Sequence, residues 1–339
     1  MTSSAEPVRP ATLHDVARAS GVSRGTVSRH LNGERYVSET ARVAIEQAIV
    51  DVGYVPNTAA RNLVRRRTQA VAFIVHEPHA LFLEDPNIAG ILLGTNTALS
   101  DADYQMVCLI VDSDRDTQRV ARYLNSGFVD GAIVVSAREN DPVSRIIEKL
   151  RIPAVFVGHP RGVDAAWVGI DNRAAAASVT TRLRDTGRQR IAMIAAALDR
   201  DSGTDRLAGF RDALGELFDE RLVESVPLYS YSDGVDGMRA LLAREPLLDG
   251  VFAASDAVAA GALSVLHSAG RTVPGDVGLV GFDDSSWATR TTPQLTTVHQ
   301  PAAQLGAGAA AELLHQIGGA PASSDGVILE CPVVWRDSA

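Results

Sequence analysis

Cysteine is nearly missing from the 339 residues: only Cys108 and Cys331 occur, far apart and in no CxxC arrangement. That excludes a disulfide framework and a zinc ribbon, and it suits a reducing compartment. Lysine is scarcer still. Lys149 stands alone, and no P-loop can be built around it. No stretch approaches the roughly 18–20 unbroken apolar residues that a membrane span requires. The opening decapeptide is short and polar, without an apolar h-region, so neither export nor membrane contact is expected and a cytoplasmic place is. The few fragments that imitate metal sites fail on spacing. His76-Glu77-Pro78-His79 is one residue short of HExxH and contains a proline, so the two histidines cannot share a helical face. Asp112, Asp114 and Asp116 begin like an EF-hand loop, but Gly and Glu are missing at its sixth and twelfth positions. No metal, no cofactor and no catalytic function is expected.

What is present is unevenly distributed. The net charge of −9 hides a basic head on an acidic body. Residues 1–68 carry ten arginines against six acids, a net of +4, and the remainder carries 22 basic and 35 acidic residues, a net of −13. This asymmetry is the one expected if only the head meets phosphates. The head also reads as three short helices. Thr12 with Asp15 makes a capping box before Leu13, Val16 and Ala17. Gly21 supplies a sharp turn, and Ser23 caps a second helix from Arg24 to Leu31. Ser38 caps a third, ended by Gly53. In the second helix Val27 and Leu31 share one face, which leaves Arg24 and Arg29 on the open one. From residue 69 onward apolar strands alternate with amphipathic helices. Strands are expected at 70–75, 105–110, 131–135, 154–157, 190–194, 250–253 and 277–281, which argues for parallel sheets covered on both faces and for two α/β lobes.

The run Thr12 to Asn32, with its first helix, glycine turn and serine-capped second helix, has the spacing of a helix-turn-helix. Together with Val37-Ser38 and Gly53-Tyr-Val-Pro-Asn-Thr-Ala-Ala-Arg-Asn-Leu63 it closely resembles the lactose-repressor (LacI/GalR) family of bacterial transcription regulators. The resemblance runs through most of the chain. It implies an α/β fold class, with an N-terminal helix-turn-helix domain and a two-lobed, periplasmic-binding-protein-like body. The domains would be residues 1–56, a hinge helix and linker at 57–68, and an effector-binding and dimerisation domain at 69–339. Within the last, the N-lobe would take about 69–167 and 297–324, and the C-lobe about 168–296 and 325–339. Base readers in the major groove would fall at Arg24, Gly25 and Arg29. Gly25 departs from the pattern because it has no side chain to read with, so readout moves to the two arginines. Thr26, Ser28, Asn32, Ser38 and Tyr54 resemble phosphate-positioning residues. Asn57, Ala60 and Leu63 match a hinge helix that enters the minor groove, with Leu63 as the wedge.

In the body, polar residues stand where strands should end: Ser136, His159, Asp256 and Asp283. The resemblance implies an effector-gripping Arg206, in Asp-Arg-Leu-Ala-Gly-Phe210, partnered by Asp283 in Val-Gly-Phe-Asp-Asp284. It places His159, Ser136, Ser255 and Asp256 at or beside further effector positions, and Trp287 offers a stacking face for a sugar ring. An Arg fork beside a carboxylate suits neighbouring hydroxyls. The expected function is a sequence-specific repressor controlled by a small molecule, a sugar first among candidates. It would act as a homodimer on double-stranded palindromic operator DNA and associate with the nucleoid. A solute-binding protein without transcriptional duty is the alternative; the basic head argues against it.

Overall fold

The computed structural model describes residues 9, 11–31, 36–55, 67–323 and 326–339. The chain divides into two compact units, Met1–Thr68 and Gln69–Ala339.

The first unit contains α1 (Leu13–Ser20), α2 (Arg24–Leu31) and α3 (Glu39–Val52). Helices this short hold only when their apolar faces meet. Val16, Ala17, Val27, Ile45 and Ala48 supply that core, with Leu13, Leu31, Ile49 and Tyr54 packed at its edge. The Asp15 carboxylate accepts from both the N–H and the O–H of Thr12, at 2.9 and 2.6 Å. Those bonds hold its carboxyl below the usual range. Val43, which looks like a core position at helical spacing, is 56% exposed instead. Asn32, Asn57, Ala60 and Leu63 lie outside the described residues.

The second unit is built on two parallel sheets. In the first, β1 (Ala70–Val75), β2 (Gln105–Ile110), β3 (Gly131–Val135), β4 (Ala154–Val157), β5 (Ala166–Ile170) and β11 (Val327–Leu329) lie in the order β2-β1-β3-β4-β5-β11. In the second, β6 (Ile191–Ala196), β7 (Val223–Val226), β8 (Gly250–Ala253) and β9 (Gly278–Val280) lie in the order β7-β6-β8-β9. Strands such as β6 are buried along their whole length because helices cover both faces, which explains their continuous apolar runs. Phe73, Phe156, Met193 and Phe252 are completely buried, and sealing each such side chain is worth roughly 1.5–3 kcal/mol.

The chain crosses between the lobes three times: after β5, between β10 (Thr297–Val298) and the helix Ala302–Ile317, and between β11 and β12 (Val333–Val334). β10 and β12 pair antiparallel, so two crossings are tied together. The lobe boundaries expected from sequence shift accordingly. Residues 168–170 and 327–329, expected in the C-lobe, pair with each other in the first sheet, Val168 opposite Val327. The first crossing comes only after Ile170. β5 escaped the sequence reading because it is short and follows a proline- and glycine-containing loop.

In each lobe the strand order reverses beside the first strand, and the carboxyl ends of the strands open toward the other lobe. That is where ligands settle in open α/β sheets.

Candidate functional site

At the strand ends lies a cleft of about 720 Å³ of empty space, partly open to solvent. The first lobe contributes Glu77 after β1, Asp85 and Asn87, Ser136 after β3, and Gly158 after β4. The second contributes Asn172, Arg200, Asp201, Ser202, Arg206, Tyr229 and Asp283, and the crossing segment adds Gln300.

Arg206 sits in the second turn of the helix Asp201–Leu214 and is 4% exposed. That helix reaches the cleft only because residue 203 is glycine: a Cβ there would stand 2.3 Å from the Ala197 carbonyl oxygen. The guanidinium is held on every side. Nε donates to Asn172 Oδ1 at 2.9 Å, Nη1 to the Ala254 carbonyl at 2.6 Å, and Nη2 to Gln300 Oε1 at 3.2 Å. Its Cζ lies 3.6 Å from the Phe282 ring centroid, a cation–π contact. Asp283 Oδ1 is 3.4 Å away. Nη2 carries a second N–H beyond the one given to Gln300, so a fixed donor remains for a ligand.

Asp283 has φ 113°, a backbone conformation that side-chain-bearing residues rarely adopt. Two backbone bonds impose it: its N–H donates to Val298 O at 2.8 Å, and its carbonyl accepts from Gln300 N–H at 3.1 Å. Such strain persists only where the surroundings over-determine it, and it clusters at ligand clamps. Burial pushes the Asp283 carboxyl well above the usual range. Arg206 opposes this, while the nearby Asp256 and Asp85 carboxyls add to it. Asp85 is pushed up to about 6, again chiefly by burial.

The structure therefore brings Arg206, Asp283 and Ser136 to one cleft. The other four expected effector residues are not among those lining it. His159 is exposed and stacks on Trp167, ring centroids 4.3 Å apart, one residue beyond the lining Gly158. Ser255 caps the helix Asp256–Ser268 through the Val258 N–H. Asp256 is consumed by structure: it accepts from Thr297 Oγ1 at 2.6 Å and from Ser285 N–H at 2.7 Å. Trp287 stacks on Tyr231, 5.8 Å between centroids, on the short helix Ser286–Arg290.

Arg200, Asn172, Tyr229 and Gln300 were not singled out from sequence, and Glu77 only within the segment 76–85 that the resemblance turns toward the effector. Glu77 lies two residues beyond the end of β1, so the strand-end rule could have found it; Asn172 depended on the unread β5.

A polar seam along the cleft joins the lobes. The Glu139 N–H donates to Asp199 O at 2.7 Å and the His159 N–H to Asp201 Oδ2 at 2.6 Å. Arg161 pairs with Asp205 at 2.7 Å, and Arg200 with Glu77.

On the head, Arg24 and Gly25 are exposed, and Arg29 is exposed beside Thr26, its Nε donating to Gly25 O at 3.3 Å. The Thr26 hydroxyl meets Ser23 Oγ at 2.9 Å, Ser28 is half-buried, and Ser38 caps α3 through the Ala41 N–H. The fragments that imitate metal sites serve locally. His76 bonds to Asp141 at 2.7 Å and His79 to Asp112 at 2.8 Å, so the two rings part. Ser113 and Asp116 cap the helix Asp114–Asn125. No cluster of three or more metal-binding side chains occurs among the described residues, and none of their helices is long and apolar enough to cross a membrane.

The family model for bacterial regulatory proteins of the lacI family matches residues 12–57, and that for a periplasmic binding protein-like domain matches 180–339. The HTH-type transcriptional regulator CelR of Thermobifida fusca is 41% identical over 97% of this chain and 98% of its own length. The ribose operon repressor of Escherichia coli (strain K12) is 30% identical over 91% and 93%. A solved CelR–cellobiose complex superposes with a TM-score of 0.78 at 39% identity, covering 98% of this chain and 100% of that one. A lac repressor dimer bound to operator and an anti-inducer gives 0.87 at 23% identity over 97% and 99%, which speaks to the fold alone. The chain belongs to the lacI family of bacterial regulatory proteins: it is a transcriptional regulator that joins a helix-turn-helix head to a periplasmic-binding-protein-like body.

Proposed function

We propose that the chain is a repressor that binds a palindromic operator as a homodimer and releases or tightens its grip when a neutral sugar enters the cleft. The observation that carries the sugar reading is the array around Arg206. A buried, immobilised guanidinium with one donor to spare faces a carboxyl, an amide and a phenol in a cleft between two lobes. Directional donors and acceptors of that kind match vicinal hydroxyls. The relative whose solved complex contains cellobiose points to a glucoside disaccharide as the first ligand to try. Operator contact falls to Arg24 and Arg29 in the major groove, with Thr26, Ser28, Asn32, Ser38 and Tyr54 on phosphates. Residues 57–68, including Asn57, Ala60 and Leu63, would form the hinge in the minor groove. The protein works in the cytoplasm on the nucleoid and catalyses nothing. Coupling requires that the sugar prefer one arrangement of the lobes; tight binding alone would shift nothing.

The test is fluorescence anisotropy on an operator duplex selected from a random pool. Saturating cellobiose, glucose or ribose is expected to change operator affinity by about 5–150-fold, the usual range of allosteric coupling. If none of these sugars changes it and none raises the melting temperature, the sugar reading fails. If the selected duplex binds no better than a scrambled one, the operator reading fails.

A further inference from the structure

The effector cleft lies at the carboxyl ends of β4 and β5. At their amino ends the first lobe holds a second hollow, of about 950 Å³ of empty space and partly open to solvent. Ala154 and Ala166, the first residues of the two strands, line it, whereas Gly158 and Ile170 line the cleft. Neither operator contact nor sugar binding uses this hollow.

Its inner wall is carbon. Ile152, Pro153, Val163 and Ala165 line it and are only half-buried. Ile152, Val163 and Ala165 also pack on a core cluster of the lobe, so the wall is held in place. Apolar surface of this kind gains by being covered.

The rim is polar, and one sign prevails. Glu148, Arg151 and Asp164 line it and are exposed; among the described residues none of the three side chains is engaged in a hydrogen bond or an ion pair. Two carboxylates therefore stand against one guanidinium. Gln316, whose amide nitrogen is given to Glu312 Oε1 at 3.0 Å, adds a carbonyl acceptor. Two helices also end here: Pro142–Leu150, followed by the lining Arg151, and Ala302–Ile317, followed shortly by the lining Ala320. The carboxyl end of a helix is the negative pole of its dipole. Carboxylates, carbonyl and helix ends together outweigh the guanidinium, so the field over this apolar wall favours a cation.

We propose that the hollow is a second ligand site, taking a small organic cation with an apolar body, an arylalkylamine. Its ring would cover Ile152 and Val163, and its ammonium would face the carboxylates of Glu148 and Asp164. The sugar reading and this one stand or fall separately.

The test is calorimetric titration of the full chain with tryptamine. Tryptophol, which carries a hydroxyl in place of the ammonium, and indole-3-propionate, which carries a carboxylate there, are titrated beside it. Tryptamine should bind in the millimolar range or tighter, as befits a ligand of its size. Tryptophol should bind about 3–10-fold more weakly, the worth of one or two exposed ion pairs, and the propionate more weakly still. The double variant Glu148→Gln/Asp164→Asn should erase the advantage of tryptamine over tryptophol. Val163→Trp, which fills the hollow, should abolish binding of both. If tryptamine does not titrate, the site is overturned. If the neutral or acidic probe binds as well as the amine, the cation class is overturned. If tryptamine keeps its affinity and its advantage in both variants, it sits elsewhere and the proposal falls. Should Val163→Trp melt early, the double variant alone decides, because both of its positions are exposed.

Discussion

Arg206 meets Asn172, Ala254, Gln300 and Asp283 at once, and only a planar, forked cation can do so. A lysine ammonium is a point charge and would satisfy some of these partners while abandoning the rest. Arg206→Lys is therefore expected to weaken effector binding by about 10–100-fold, the scale of one or more lost charged hydrogen bonds. Operator affinity without effector should not move, and anisotropy measures both. In the head, Arg29 is the exposed cation whose loss should cost about 1–3 kcal/mol of operator affinity and relax one base position; unchanged base preference in Arg29→Ala would remove it from the readout. Asp256 makes a different kind of prediction. Burial, partly offset by its bonds to Thr297 and Ser285, pushes its carboxyl up to about 7. Between about pH 4, where a free aspartate titrates, and pH 7 the folded chain keeps a proton that the unfolded chain has lost. The Asp256 contribution to stability is thus full below that window and declines as pH rises through it. Asp256→Asn should flatten this decline in melting temperature between pH 4 and 7; a parallel curve would assign the titration elsewhere.

At the level of elements, the helix Asp201–Leu214 positions the cleft through a single atom that is missing. A Gly203→Ala methyl would meet the carbonyls of Ala196 and Ala197 at 2.4 and 2.3 Å, backbone that cannot swing aside. The helix would have to lift, at a cost of about 1–3 kcal/mol typical of overpacking. Denaturant titration should show that loss, together with weaker effector binding. Gly25 is the converse: a Cβ there finds only Ser23 Oγ, at 3.9 Å. Gly25→Ala should therefore stabilise the head by up to about 1 kcal/mol. The elements that sequence made legible are those with an interior and clear ends. The helices of the head announced themselves through Thr12, Ser23, Ser38 and Gly53, and the long buried strands through unbroken apolar runs. What escaped were β5, β7 and β10 to β12, two to five residues each, whose pairing is decided by distant partners such as Val327 opposite Val168. The site suffered from the same limit. Arg206 and Asp283 meet because a crossing strand pins residue 283 from residues 298 and 300, a relation that no local pattern carries. Ser255 and Asp256 do stand at a strand end, but Ser255 caps the following helix and Asp256 is taken by Thr297 and Ser285.

Over the whole molecule, the head's net charge of +4 and the body's of −13 separate two kinds of recognition. Operator binding that releases counterions should fall steeply with salt, with a logarithmic slope of about −0.9 for each phosphate neutralised. A neutral sugar in the cleft releases none. Sugar affinity should stay within about twofold from 50 to 200 mM salt while operator affinity falls by orders of magnitude. A sugar site with a comparable salt slope would mean that its ligand carries charge. The inter-lobe seam has a consequence for how such opening is watched. The seam reaches the second lobe through one stretch of seven residues, 199–205, and two of its bonds are donated by backbone amides, those of Glu139 and His159. Each amide is held by an acceptor on the opposite lobe, Glu139 by a backbone carbonyl, so deuterium should replace its proton faster when the lobes stand apart. Their exchange rates therefore amount to an intrinsic gauge of opening, readable in the unlabelled protein before any effector is known.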